Sequence, residues 1–371
     1  MSDPGASTAL VIHVQGSHYE MGLQHANQVR HLLPAIQRAI DLRFEQIARD
    51  QPDQAFRELV ARASQVLDVS DRATLDMIRG LADGLGFPYE MLLEYNLVTF
   101  LRDVLVIRKL SGHSSPEGCS TWAATGAATA DGQPILAKNR DFYAEHLPLQ
   151  IIVRAEPDLG HRHTYVTSAG SPGVFVAGIN DTGLALVDTH VSSLDIGAGL
   201  PTYALSMHIL ESHKTVRSAI EYLESMPRLG RNNLVLVDAS GEMVVAELGH
   251  RRLAVRDAVD DMLVNTNHFA CAKLQASFID TNPPGLRGNS QQRFELLSHE
   301  LARAHETIDI DFARRLMATH AGPVASICRH PSPDEETSTI ATMLFQPAQR
   351  RLHFCHGSSC TGEYQILDYP Q

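Results

Sequence analysis

The first hundred residues of the chain carry apolar side chains at helical spacing. From residue 18 to about residue 107 the apolar positions recur every three or four residues, as at Met21, His25 and Val29. A period near 3.6 residues is typical of helices that bury one face. This front part is therefore predicted to be mostly helical, with later segments at 53–68, 71–83 and 89–107.

After residue 118 the pattern changes to short apolar runs between turn signals, which predict strands. Asp131 and Gly132 favour a tight hairpin, because a type I′ turn needs positive φ at both central positions. Residues 109–118, rich in Ser, Gly and Pro, are predicted to form an exposed loop ahead of the strands. The predicted strands are 120–129, 134–138, 149–154, 164–167, 174–177, 184–187, 234–237, 243–247, 262–264, 339–345 and 351–355.

Three helical stretches, at about 201–226, 290–304 and 308–319, interrupt the strands. Asn289 and Ser290 are predicted to cap the second of them, since both residue types accept hydrogen bonds from the first helical amides. Helices grouped outside many short strands indicate an α+β layered architecture with antiparallel sheets, and not alternating βαβ units.

Composition narrows the function classes. The 371 residues are 44% hydrophobic and 20% charged, with a formal net charge of −12. No basic stripe, signal peptide or spanning helix is recognisable, so neither nucleic acid nor a membrane is expected as a partner. Five cysteines without a CxxC pair favour a reducing compartment, and a cytoplasmic location is predicted.

Gly118 and Cys119 stand where the predicted loop meets the first strand. A cysteine here can attack the carbonyl of Gly118 and shift the peptide to a thioester that water hydrolyses, and glycine allows the close approach that this attack needs. The new α-amino group on Cys119, with a pKa of about 7.7 to 8.0, can then act as base for its own thiol. One residue would supply both nucleophile and base.

The stretch EGCSTWAATGAATADGQPILAKNRDF resembles the start of the catalytic chain in the penicillin acyltransferase-like family of N-terminal nucleophile hydrolases, peptidase family C45. The segments INDTGLAL, VNTNHF and NSQQRF follow in the order that the family implies. The resemblance implies a four-layer αββα sandwich of two antiparallel sheets flanked by helices. It also implies self-cleavage before the cysteine and amide hydrolysis or acyl transfer.

The resemblance assigns roles to residues near the cysteine. Asp141 matches the aspartate that contacts the freed α-ammonium and orients Cys119, a role that a carboxylate beside an ammonium can fill. Asn139 and Lys138 flank it as supporting residues. Related bile-salt enzymes carry arginine at the position of Lys138, so this lysine keeps the charge and loses the planar fork.

Residues farther along the chain complete the predicted site. Asn267 matches the asparagine whose side-chain amide would hold the oxyanion, with Asn265 in support. The second oxyanion donor is predicted to be the backbone N–H of His190. Arg293 matches an arginine that helps to hold the surroundings of the nucleophile.

The other cysteines, the absence of metal motifs and two rival functions complete the sequence interpretation. Cys271, Cys328, Cys355 and Cys360 are expected to be small buried apolar residues. No metal or other cofactor is predicted, because the histidine and cysteine spacings match no known metal motif. The rival hypotheses are a metal-dependent amidohydrolase and an uncleaved, non-catalytic binding protein of the same fold.

The sequence thus predicts one folded unit made of two chains. Residues 1–118 would form a mainly helical chain that packs on the core, and residues 119–371 would form the catalytic chain. The substrate would be a small molecule with a linear amide or an acyl thioester. Processed units could also assemble into a homo-oligomer.

Overall fold

The computed structural model describes residues 8–109, 118–331 and 337–369. Most of the loop predicted at 109–118 lies outside these ranges. No helix within them is long and apolar enough to cross a membrane. The α-helices are α1 (His18–Gln28), α2 (Leu33–Arg49), α3 (Gln54–Ser70), α4 (Arg72–Leu85), α5 (Tyr89–Leu101), α6 (Asp103–Lys109), α7 (Thr202–Ser212), α8 (Val216–Ser225), α9 (Ala272–Gln275), α10 (Asn289–Arg303), α11 (Ile310–Met317) and α12 (Gly322–Ala325).

The strands form two sheets. Their bounds are β1 (Leu10–Gly16), β2 (Ser120–Ala124), β3 (Ile135–Tyr143), β4 (Gln150–Pro157), β5 (His163–Ser168), β6 (Ala177–Asn180), β7 (Ala185–His190), β8 (Asn232–Val237), β9 (Met243–Leu248), β10 (Leu253–Asp257), β11 (Met262–Asn265), β12 (Thr337–Gln346), β13 (Arg351–His356) and β14 (Tyr364–Asp368). The order is β1-β4-β5-β6-β7-β8-β9-β10 in the first sheet and β11-β2-β3-β12-β13-β14 in the second.

The two sheets stack face to face. Their inner faces share one apolar core, to which Val166 and Val235 contribute from the first sheet and Leu136 and Met343 from the second. Helices α1 to α5, α7 and α8 pack on the outer face of the first sheet, and α10 and α11 pack on the outer face of the second. The predicted α+β four-layer sandwich is confirmed.

The prediction of purely antiparallel sheets is wrong at one edge. Strand β1 pairs with β4 in parallel, from Leu10 opposite Ile151 to Gly16 opposite Pro157. This strand belongs to the helical front part of the chain, so residues 10–16 tie that part into the first sheet through backbone hydrogen bonds. The other strand pairs in both sheets are antiparallel.

The strands predicted on either side of Asp131 and Gly132 do pair antiparallel as β2 and β3, but the predicted tight turn between them is wrong. Strand β2 ends at Ala124 and β3 starts at Ile135, so a longer connection joins them. Gly132 has a φ of 75°, but Asp131 is not among the residues with positive φ, which excludes a type I′ turn. The connection includes a short 3₁₀ turn at Gly126–Ala128.

Asn289 and Ser290 do not cap α10 with their side chains. Gly288 precedes the helix in the left-handed conformation, with a φ of 75° and no side-chain cap. The hydroxyl of Ser290 instead accepts from the backbone N–H of Asn267 at 2.8 Å, and Asn289 accepts from Arg293 at 3.0 Å. Both side chains therefore form hydrogen bonds with residues near Cys119 and not with the first amides of the helix.

Candidate active site

Cys119 lies immediately before β2, at the edge of a pocket between the helical layer and one end of the sandwich. It is half-buried, and its Sγ lies 3.9 Å from the backbone oxygen of Asp141. The pocket has about 830 Å³ of empty volume, including solvent at its mouth. Among the predicted site residues, those that line it are Cys119, Lys138, Asp141, His190 and Asn267.

Gly118 is buried against two charged side chains. A Cβ at this position would lie 2.6 Å from Oδ2 of Asp141 and 2.7 Å from Nη1 of Arg329, which is too close for any larger residue without displacing them. The other Asp141 oxygen, Oδ1, accepts from the hydroxyl of Thr339 at 2.6 Å. The Gly118–Cys119 junction is therefore held directly beside the Asp141 carboxylate.

Lys138 is fully buried and pairs with Asp188 on the neighbouring sheet. Its Nζ donates to the Asp188 side chain at 2.7 Å and to the Asp188 backbone oxygen. Burial raises the pKa of the Cys119 thiol; Lys138 opposes this shift, and the carboxylates of Asp141 and Asp188 add to it. An uncharged thiol is thus favoured while the chain is intact.

Arg293, from α10, joins Cys119 to Asn267. Its guanidinium donates to the backbone oxygen of Cys119 at 2.6 Å, to Ser120 at 3.0 Å, to Oδ1 of Asn267 at 2.8 Å and to Asn289 at 3.0 Å. The side chain is fully buried. Its planar fork spans acceptors on two sides, which fixes the backbone of Cys119 relative to the Asn267 amide.

Asn267 and His190 are in direct contact. Nδ2 of Asn267 donates to the backbone oxygen of His190 at 2.9 Å, which leaves its second hydrogen for another acceptor. The N–H of Asp188 points towards Val176. Since alternate N–H groups of a strand point the same way, the N–H of His190 is directed to that same side of β7.

The side chain of His190 faces the helical layer. Its Nε2 lies 2.5 Å from Oδ2 of Asp103 in α6, and Arg231 donates to the same oxygen at 2.9 Å. Burial alone would raise the pKa of Asp103, but Arg231 and His190 outweigh it, and the pKa lies below its ordinary value. The front part of the chain thus supplies a carboxylate to the pocket.

Asn139 and Asn265 do not reach the pocket. Asn139 is fully buried and donates to the backbone oxygens of Met317 at 2.8 Å and Ile327 at 2.9 Å. Asn265 donates to the hydroxyl of Thr189 at 2.8 Å. Both contacts hold the layers around the site together.

Sequence reasoning missed the cations and aromatic residues of the pocket. Arg43 in α2, Phe100 in α5 and Phe175 line it together with Arg140. The sequence could have placed Arg140 in the pocket, because this residue lies two positions after Lys138 and therefore on the same face of β3. The helical residues could not be placed there from the sequence, since hydrophobic periodicity does not show which helix face will meet a pocket.

Arg43 and Arg140 are buried, at 9% and 8% exposure. Arg43 donates to Gln46 at 2.7 Å, and Arg140 donates to Gln150 at 2.7 Å and to Ser168 at 3.3 Å. Among the described residues, neither forms an ion pair. Burial lowers both pKa values, that of Arg140 to about 10.

The structure also groups side chains that could bind a metal ion. Within residues 8–109, 118–331 and 337–369, the group of at least three such side chains is His320, Cys328, His330 and Cys360. None of the four lines the Cys119 pocket.

Comparison with known structures gives weak likenesses. A mutant of conjugated bile acid hydrolase from Clostridium perfringens is 13% identical, with 68% of this chain and 97% of that one covered and a TM-score of 0.46. Penicillin V acylase from Agrobacterium tumefaciens is 16% identical, with 67% and 86% covered and a TM-score of 0.46. The Caenorhabditis elegans N-acylethanolamine-hydrolyzing acid amidase ortholog is 14% identical, with 68% and 100% covered and a TM-score of 0.44. No curated protein sequence matches the chain.

A family model gives the firmer result. The model of the acyl-coenzyme A:6-aminopenicillanic acid acyl-transferase matches residues 128–360, which is more than half of the chain. The match covers β3, β7, α10 and the region of Asn267, and it confirms the resemblance found in the sequence. The chain belongs to the acyl-coenzyme A:6-aminopenicillanic acid acyl-transferase family of enzymes.

Proposed function

We propose that the chain is a self-processing N-terminal nucleophile enzyme that forms an acyl-enzyme on Cys119 and passes the acyl group to water or an amine. The observation that carries this proposal is the junction itself. Gly118 packs against Asp141, Cys119 opens on the pocket, and Arg293 holds the Cys119 backbone to Asn267.

Self-cleavage would begin with attack of the Cys119 thiol on the carbonyl carbon of Gly118. The C–N bond breaks, and the nitrogen leaves as an amine that carries the proton given up by the thiol. Water then hydrolyses the thioester, which yields the carboxylate of Gly118 and restores the thiol. The burial that disfavours a free thiolate supports a concerted proton transfer in this step.

Turnover would use the freed α-amine as the base. The amine takes the thiol proton as sulfur attacks the substrate acyl carbon, and it returns the proton to the leaving amine. Asp141, which lies against the junction, would hold the ammonium form in place. Water or an accepting amine then cleaves the thioester by the same route.

We assign two donors to the oxyanion. The second hydrogen of the Asn267 amide is one, and the backbone N–H of His190 is the other. The Arg293 guanidinium donates to Oδ1 of Asn267 and holds this side chain in one orientation. This contact supports the assignment, because a preorganised donor costs no reorganisation during the reaction.

The pocket supports a substrate with an anionic group. Arg43 and Arg140 line the pocket together with Cys119 and, among the described residues, donate hydrogen bonds to neutral side chains. Keeping two such charges is unfavourable unless an anion compensates them. Phe100 and Phe175, whose rings meet edge to face at 5.3 Å, would contact the apolar part of the same acyl group.

Denaturing mass spectrometry tests the proposal. The purified wild-type protein should consist of chains 1–118 and 119–371, and Cys119→Ala should remain one chain of 371 residues. Cys271→Ala is the matched control, since that half-buried cysteine lies outside the pocket, and it should cleave as the wild type does. A wild-type chain that stays intact, folded and unreactive would contradict the proposal.

The same measurement identifies the substrate class. Incubation with N-acyl amides that carry or lack a carboxylate on the acyl group should give an acyl mass on the 119–371 chain. The carboxylate series is expected to label Cys119 faster, and labelling should be absent in Cys119→Ala.

A further inference from the structure

Four side chains of types that can ligate a metal, from three separate segments, converge outside the active-site pocket. His320 follows α11, Cys328 and His330 precede β12, and Cys360 follows β13. Their ligand atoms all lie within 4.8 Å of one another. The ring nitrogens of His320 and His330 are 3.1 Å apart, and Nε2 of His330 lies 3.4 Å from Sγ of Cys360 and 3.9 Å from Sγ of Cys328.

These separations, from 3.1 Å to at most 4.8 Å, lie around those expected for the ligands of one tetrahedral ion. Zinc binds thiolate sulfur at about 2.3 Å and imidazole nitrogen at about 2.0–2.1 Å, so its ligand atoms stand about 3.3 to 3.8 Å from one another. Two sulfurs and two nitrogens in this arrangement form a donor set typical of zinc.

The backbone around the group is already held in place. The N–H groups of Ile327 and Cys328 both donate to the backbone oxygen of Thr319 at 3.0 Å, which closes the segment that begins at His320. Asn139 bridges the backbone oxygens of Met317 and Ile327 from below. Next to Cys360, the hydroxyl of Ser359 donates to Met317 at 2.7 Å. The ligands therefore come from a preformed frame.

We propose that His320, Cys328, His330 and Cys360 form a structural zinc site. All four positions are taken by protein ligands, which is the closed arrangement of structural zinc and not of catalytic zinc. No sequence motif indicated this site, because successive ligands are 8, 2 and 30 residues apart along the chain. Only Cys328 and His330 are near neighbours in the sequence.

The site would also brace the cleavage junction, an extension that rests on the proposed function. Arg329 stands between two of the ligands, is buried, and places its guanidinium against Gly118. Its backbone exchanges hydrogen bonds with Thr339, whose hydroxyl donates to Asp141. Zinc bound at Cys328 and His330 would fix this backbone from both sides, which makes Arg329 a positioning residue for the junction.

Metal analysis of the full chain, purified under reducing conditions, tests the site. Wild type is expected to retain about one zinc per chain. His330→Ala and Cys360→Ser should bind added Zn²⁺ at least ~100-fold more weakly, since loss of a partner outside the ligand shell already costs 10–100-fold. Added Zn²⁺ should raise the melting temperature of wild type after chelation, and not that of the variants.

Matched controls separate this result from general thiol or imidazole binding. Cys271→Ser and His299→Ala remove a half-buried cysteine and an exposed histidine elsewhere and should retain zinc as the wild type does. Equal zinc content in all variants, no zinc binding by wild type, or a Cys328–Cys360 disulfide in the reduced preparation would overturn the site.

Cys119→Ala distinguishes failure of the zinc site from failure of the proposed function. This uncleaved variant should bind zinc as tightly as the wild type, whatever the outcome of the processing experiment. Slower self-cleavage of His330→Ala than of His299→Ala would support the link to the junction. Cleavage of His330→Ala at the wild-type rate, without bound zinc, would overturn that link.

Discussion

Two kinds of buried arginine flank Cys119, and they are satisfied in opposite ways. Arg293 donates to four acceptors of the protein itself, among them the Cys119 backbone and Asn267. Arg43 and Arg140 face the pocket and donate to neutral side chains, with no carboxylate partner among the described residues. All three are less than a tenth exposed.

The difference separates what folding needs from what substrate binding needs. Arg293 completes a hydrogen-bond network, so its loss would leave buried acceptors without donors. Among the described residues, Arg43 and Arg140 form no ion pair with a carboxylate, and a buried charge without such a partner costs stability. We therefore expect substitutions of Arg293 to act on folding and processing, and those of the pocket pair to act on substrate binding.

Arg293→Lys should give the largest effect. Lysine has one compact ammonium and cannot span acceptors on both sides as the guanidinium fork does. At least two buried acceptors would lose their donor at about 1–3 kcal/mol each, so the free energy of unfolding should fall by about 3 kcal/mol. Denaturant unfolding in the Cys119→Ala background, where the chain stays whole, measures this difference.

Arg303→Lys is the matched control for that change. It lies on the same helix, α10, but is exposed and pairs with Glu300 at 3.0 Å. An exposed pair contributes less than about 1 kcal/mol, so this variant should unfold close to the reference. Similar losses for Arg293→Lys and Arg303→Lys would show that the network around Cys119 is not a special source of stability.

Arg43→Gln and Arg140→Gln should instead raise KM for a substrate with an anionic acyl group. A hydrogen bond to a charged group contributes about 2 kcal/mol, which corresponds to a change of about 30-fold. A neutral substrate of the same shape should be affected little, and the free energy of unfolding should not fall. Steady-state kinetics with the two substrates checks the prediction.

Arg38→Gln provides the control for the pocket pair. This arginine shares α2 with Arg43 but is exposed and lies 3.8 Å from Glu45. It should leave both KM values unchanged. Equal losses with the anionic and the neutral substrate in Arg43→Gln would mean that the pocket arginines do not recognise a negative charge.

The sequence was sufficient to predict the layers of the fold, and it singled out one junction as the candidate site. Helical and strand periods are local, so they predicted the front helices and most strands, and the Gly118–Cys119 junction stood out by its chemistry. The strands β10 and β14 were not predicted from the sequence. Both are short edge strands with exposed positions, which weaken the alternation of apolar and polar residues.

What escaped prediction at the site depends on contacts between distant segments. Arg43 and Asp103 reach the pocket from α2 and α6, and the parallel pairing of β1 joins residues about 140 positions apart in the chain. The same holds for His320, Cys328 and Cys360, which only the folded chain brings together. Residue patterns predict elements, but not which faces of remote elements will meet.

His25→Gln should have a smaller effect than the substitutions of the three buried arginines. His25 is a buried titratable residue outside the pocket, so its substitution should affect folding and not substrate binding. Its Nε2 accepts from the backbone N–H of Gly170 at 3.1 Å, and burial lowers its pKa to about 3. Between its ordinary pKa near 6.5 and that value, the unfolded chain binds a proton that the folded chain does not. Stability is therefore lost as the pH falls through this window, by about 1.4 kcal/mol between pH 7.5 and pH 5.5.

The His25→Gln variant should remove that share of the pH dependence, because the glutamine carbonyl can still accept from Gly170 and carries no charge. Denaturant unfolding at both pH values, again in the Cys119→Ala background, gives the difference, with the exposed His299→Gln as control. An unchanged pH dependence in His25→Gln would mean that the imidazole is protonated in the fold. His25 is buried on α1 and does not line the pocket. The cleaved His25→Gln enzyme should therefore keep the wild-type KM for both substrates, whereas Arg43→Gln should change KM and leave stability intact.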